Sequence, residues 1–135
     1  MKRAMFLSFA VMAASQAYAA TDHYLRRDGG HVQHLKITTI GDEINAAMDV
    51  DFEPTPDEAA RGVKPCSVDV EGEARKIGDK TILLKKQIPG EAHYCSIEIT
   101  LDADAARTKQ SDECRYFLAN FCKFDSEGKS LLKIK

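Results

Sequence analysis

The sequence predicts an all-β fold, a small antiparallel β-barrel or sandwich of six to eight strands with one short helix near the C-terminus. Three observations predict it. Apolar and polar residues alternate strictly over several stretches, Gly- and Pro-containing pairs punctuate those stretches, and four cysteines follow the first twenty residues. Alternation sends successive side chains to opposite faces of an extended chain, a pattern that a 3.6-residue helix cannot bury.

Residues 1–20 read as a secretory signal. Lys2 and Arg3 form a positive start, residues 5–14 an apolar run interrupted at Ser8, and Ala17-Tyr18-Ala19 a small-x-small site, so cleavage is expected after Ala19 or Ala20. About ten apolar residues rise only ~15 Å as a helix, half of a bilayer core of ~30 Å. No Cys stands at the cleavage point to take a lipid. Once the signal is cut, no membrane anchoring is expected, and residues 21–135 form one domain in the periplasm or outside the cell. The chain has 19 basic and 21 acidic residues, and losing Lys2 and Arg3 leaves a net charge near −4. With no basic run, nucleic acid is excluded as a partner class. An apolar content of 44% is too high for wholesale disorder.

Leu35 and Ile37 alternate towards Gly41-Asp42, a turn pair expected to join two strands in a hairpin. Over 43–53, Ile44, Ala46, Met48, Val50 and Phe52 fall on one face, and Asn45, Ala47, Asp49, Asp51 and Glu53 on the other. Residues 54–65 hold Pro54, Pro56 and Pro65 and read as a loop, with room for a helical turn at 57–61. Cys66, Val68, Val70, Gly72 and Ala74 then alternate with Ser67, Asp69, Glu71 and Glu73. Gly78-Asp79 precedes a strand at 81–85, and Pro89-Gly90 breaks the chain before the next one. There Cys95, Ile97, Ile99 and Leu101 alternate with Tyr94, Ser96, Glu98 and Thr100. Phe117, Leu118 and Phe121, with Ser111 as N-cap, mark a short helix or tight loop within 111–121. Leu132 and Ile134 mark a last strand. Closure removes exposed strand edges, which favours a barrel over a sandwich.

Cys66, Cys95, Cys114 and Cys122 are an even count in an exported small protein, and imply two disulfides. Three pairings are open. Locality favours Cys114–Cys122 with Cys66–Cys95 as the remainder, and Cys66 and Cys95 share the inward set. There is no C-x-x-C to suggest zinc or redox chemistry.

Candidate chemistry is sparse. His31 and His34 are three apart, which on a strand puts them on opposite faces and argues against a shared metal. No G-x-S-x-G elbow is present, and oxidised cysteines supply no nucleophile. The reading is therefore non-enzymatic, with no cofactor and no metal. The distinctive polar feature is the outward acidic series Asp49, Asp51, Glu53 and Asp69, Glu71, Glu73. Like charges opposite one another destabilise a sheet, so unless Lys36, Arg75, Lys85 or Lys86 interleave, the series wants a reason. It can steer a basic protein partner. Two other readings are a solvated face paired by Lys and Arg, and a calcium site at Asp49, Asp51 and Glu53.

Tyr24, Leu35-Lys36-Ile37, Cys66-Ser67-Val68 with Gly72-Glu73-Ala74, Cys95-Ser96-Ile97-Glu98-Ile99, and the close Cys114, Phe121-Cys122-Lys123-Phe124 and Gly128 occur in an order that resembles the small exported β-barrels of the bacterial lysozyme-inhibitor type. The resemblance covers most of the mature chain. It implies a compact antiparallel barrel that blocks a lysozyme cleft with an inserted loop. The Ser- and Lys-bearing inhibitory loop of those families has no counterpart here, so no inhibitory residue carries over. The function expected is a periplasmic or secreted binding protein acting on a basic partner such as a lysozyme or another cell-wall hydrolase. The alternative is a carrier of a small apolar ligand inside the barrel.

Overall fold

In the computed structural model, which describes residues 19–87, 90, 92–116, 118 and 122–134, every alternating stretch named above is a strand. The apolar run of the expected signal, together with Pro89, Phe117 and Phe121, lies outside the described residues. The strands are β1 (Ala19–Asp28), β2 (His31–Ile40), β3 (Glu43–Phe52), β4 (Cys66–Lys76), β5 (Thr81–Gln87), β6 (Tyr94–Leu101), β7 (Ala105–Gln110) and β8 (Leu131–Ile134). They pair antiparallel in chain order, and β8 returns to β1 to close the barrel. Ala19 and Ala20, at the expected cleavage point, are the first residues of β1.

Turn chemistry sets the register. Gly41-Asp42 is the two-residue loop between Ile40 and Glu43, with Gly41 at φ 58°. Gly29-Gly30 plays the same part between Asp28 and His31, with Gly29 at φ 57°. Both turns need the left-handed backbone that glycine adopts at little cost. A Cβ on Gly30 would overlap the Glu53 carbonyl oxygen, so glycine there also lets the end of β3 close against the turn.

The inward set is the one that alternation predicts. Leu35, Met48, Leu84, Ile97, Ile99 and Leu131 are completely buried, with Val50 and Val70 beside them. Eight strands leave an interior that side chains can fill, and these large aliphatic residues fill it. β7 carries no hydrophobic alternation in the sequence, because its inward residues Ala106, Thr108 and Gln110 are small or polar. In β8 the buried residue is Leu131, whereas Leu132 and Ile134 point outward and are 64% and 49% exposed.

Polar side chains attach the C-terminal loop to one end of the barrel. Gln33 Nε2 donates to the carbonyls of Lys123 (3.2 Å) and Asp125 (2.9 Å). Thr108 and Ser126, both buried, bond each other's backbone or that of Phe124. Gln110 Oε1 accepts from the Phe124 N–H at 2.8 Å. These bonds are why Gln33, Thr108 and Ser126 lie in an apolar core: the first two satisfy loop carbonyls, and Ser126 satisfies the Thr108 backbone on β7, groups that would otherwise be buried unpaired.

The short helix or tight loop expected within 111–121 is a 3₁₀ turn over Asp112–Tyr116, and the helical turn at 57–61 is a five-residue helix α1 (Pro56–Ala60) in the proline loop, boxed by Thr55 and Glu58. The cysteine pairing that locality favours needs correcting. The disulfides are Cys66–Cys122 and Cys95–Cys114. Cys66 stands on β4 and Cys95 on β6, with β5 between those strands in the barrel order, and each is bridged to the segment that follows β7. The 3₁₀ turn instead folds back on β6 through Ser111 N–H to Ser96 C=O (2.8 Å), which brings the Cα atoms of Cys114 and Cys95 to 4.5 Å.

Candidate functional site

Register decides the geometry of the acidic series. β3 and β4 stay paired from Ile44↔Ala74 to Phe52↔Cys66. Asp49 therefore faces Asp69 directly, Asp51 faces Ser67, Ala47 faces Glu71 and Asn45 faces Glu73. Asp49, Asp51, Asp69, Glu71 and Glu73 are all exposed on one outer face, and Glu53 is exposed one residue past β3. The two sequence-predicted rows are thus neighbours, as the acidic-face reading needs.

The expected neutralisation is missing. Among the described residues, no Lys or Arg side chain lies within ion-pair distance of any of these six carboxylates. The basic groups pair elsewhere: Arg26 and Lys129 with Asp28, Lys133 with Asp22, Arg107 with Asp102, Lys123 with Glu127. Lys86 approaches the face but donates to the Asp69 main-chain carbonyl at 3.4 Å, not to a carboxylate. Ser67 Oγ donates to Asp51 at 2.6 Å, a hydrogen bond that orients this carboxylate without cancelling its charge.

One titratable row runs into the face. His23 on β1 and His34 on β2 have ring planes within 1° and centroids 5.1 Å apart, while His23 Nδ1 lies 2.9 Å from His34 Nε2. Centroids separated by roughly the nitrogen contact plus two ring radii mean that the rings meet edge to edge in one plane. The contact is therefore an N–H···N hydrogen bond, with one facing nitrogen protonated and the other not. His34 Nδ1 is 3.7 Å from Asp49 Oδ2. Sequence spacing hid this row, because the Gly29-Gly30 turn must be placed before His23 and His34 are seen to share a face. Among the described residues no hydroxyl or thiol hydrogen-bonds His23, so the row lacks a nucleophile for triad chemistry. His31 faces the other way, onto the Phe52 ring at 4.3 Å. Among the described residues no group of three or more His, Cys, Asp or Glu is arranged to hold a metal ion. No helix of the described residues is long and apolar enough to cross a membrane.

Beside the acidic face the barrel wall parts. β4 and β5 register only at Ala74↔Leu84, Arg75↔Leu83 and Lys76↔Ile82. Beyond Ala74 the two strands diverge, and a cleft of about 240 Å³ opens between them, lined by Ser67, Val68, Asp69, Lys86, Cys95, Leu118 and Phe124. Gly72, an interior strand glycine close to where the pairing stops, was the one sequence signal of a bend here.

The fold and site together define a class, a closed eight-stranded antiparallel barrel with two disulfides and an acidic outer face that no described Lys or Arg side chain ion-pairs. No family model, no curated protein and no solved structure matches the chain.

Proposed function

We propose that the protein is an exported, non-enzymatic binding protein whose acidic β3–β4 face takes a basic protein partner, a lysozyme or another cell-wall hydrolase being the partner class. The supporting observation is the uncompensated charge. Asp49 and Asp69 face each other across a ladder at a cost in stability, and no described Lys or Arg offsets it. A face of one sign concentrates an oppositely charged partner and raises its association rate, most strongly at low salt. Lysozymes, commonly basic, present such a surface around a cleft that works with paired carboxylates. The filled interior speaks for surface binding over carriage of an apolar ligand inside the barrel. Two disulfides fit a protein that works outside the reducing cytoplasm.

The test is a lysis assay against c-, g- and i-type lysozymes, paired with stopped-flow association. Slowed lysis by at least one class is expected. A variant with Asp49, Asp51, Asp69 and Glu71 changed to Asn or Gln should associate more slowly, with a shallower salt dependence. Unchanged rate and salt dependence would remove the acidic face as the binding surface.

A further inference from the structure

We propose that the open edge of β4 at the parted wall is a strand-addition site for an extended segment of a partner protein, one that alternates basic with apolar side chains. This rests on the acidic-face reading and specifies how the partner engages it.

Three observations carry it. The first is the edge itself. The Asp69 carbonyl is reached by the Lys86 ammonium, from the β5 side. In an antiparallel strand a residue's N–H and C=O point to the same side and alternate along the chain. Ser67, Asp69 and Glu71 therefore aim their main-chain groups at the parted wall, while Val68 and Val70 aim theirs at β3. Past Ala74 no described register pair links β4 to β5. Paired strands lie ~4.8 Å apart, and among the described residues a side chain, not a strand, bridges the space. Rows of unpaired main-chain groups are templates for another strand.

The second is the floor of the cleft. Val68, Cys95, Leu118 and Phe124 line it, so inward side chains of an added strand would meet apolar surface. The third is charge. Outward side chains of that strand would stand beside Ser67, Asp69 and Glu71, with Asp49 and Asp51 one strand further on. A residue hydrogen-bonded to Asp69 through its main chain sends its side chain outward, next to this acidic group. Hence the alternation: basic residues outward, apolar residues inward. Lys86 guards the edge meanwhile, as lysines on exposed strands commonly do, and the arriving strand displaces it.

The probe is a blocked seven-residue peptide alternating Lys with Val, compared with the same peptide N-methylated at its lysines, whose N–H groups would face Asp69. Binding to the oxidised mature protein is followed by NMR, with amide hydrogen exchange read at Ser67, Asp69 and Glu71. The plain peptide should slow exchange at these three amides by about tenfold or more when saturating. The methylated peptide should bind at least about tenfold more weakly, and Lys86→Ala should strengthen binding of the plain peptide. Equal binding of the two peptides, or unchanged exchange at the three amides, would overturn strand addition while leaving the acidic-face reading to its own lysozyme test. No binding of the plain peptide at about 1 mM would overturn it as well. So would slowed exchange at the same amides in peptide-free protein as its concentration rises, which would assign the edge to a second copy of the chain.

Discussion

Removing the Cys66–Cys122 bridge should cost more stability than removing Cys95–Cys114, although Cys114 and Cys122 are equally buried. The bridges close loops of 56 and 19 residues in sequence separation. Loop-closure entropy withdrawn from the unfolded chain then corresponds to about 4 kcal/mol for the first and about 3 kcal/mol for the second. Against the ~5–15 kcal/mol typical of a domain, either loss is large. The perturbation is a pair of double variants, Cys66→Ala with Cys122→Ala and Cys95→Ala with Cys114→Ala. The loop at 122–126 should stay seated in the first, because Gln33, Thr108 and Gln110 still hold its backbone. Urea unfolding followed by circular dichroism measures both losses, with the Cys66–Cys122 variant about 0.6 kcal/mol the less stable, since the Cys95–Cys114 bridge it keeps already shortens the outer loop. A larger loss from the Cys95–Cys114 variant would refute the entropic reasoning. Connectivity has an independent check. Trypsin should leave peptide 62–75 joined to 116–123, and 87–107 joined to 110–115. Recovery of 62–75 joined to 87–107 would refute the pairing itself.

Asp69→Asn should raise stability by a few tenths of a kcal/mol, and Asp49→Asn in the same background should add little, since one substitution already ends the repulsion; thermal melts of both singles and the double test this non-additivity. Burial, and after it the nearby Asp22, hold the Tyr24 phenol's pKa above its ordinary 10.0. The unfolded chain then loses this proton first, so the contribution is full below pH 10 and is lost as pH rises through the higher folded value. Tyr24→Phe should flatten that alkaline decline in a denaturation series, and an unchanged decline would assign it to other groups. Gln33→Leu should cost about 2 kcal/mol or more by stranding the Lys123 and Asp125 carbonyls. Its exchange signature should be faster amides at 122–126, with β3 and β6 unaffected.

Strands with an aliphatic inward set were legible because period two over eight or more residues admits no other buried geometry. β3, β4 and β6 are such strands, and the Gly41-Asp42 hairpin followed from turn chemistry alone. β7 was illegible for the converse reason: with Ala106, Thr108 and Gln110 inward, its hydrophobic alternation vanishes, and its stability comes from neighbours on both sides and from the loop it binds. Leu132 and Ile134 marked β8, but which of its faces is buried was not legible, because four residues are too few for a pattern and the register with β1 turns Leu131 inward. The acidic residues of the site were all legible. What they face was not.

By itself, the order of residues determined which side chains of β3, β4 and β6 are buried, which are acidic and outward, and that four thiols would be joined in pairs, since these depend on local alternation and composition. Only the closed sheet decided which cysteines meet, that Asp49 opposes Asp69, that His23 and His34 touch, and that β4 parts from β5 beyond Ala74. Each of those is a contact between segments far apart in the chain, and register across several strands, which no local pattern encodes, sets where such segments come together.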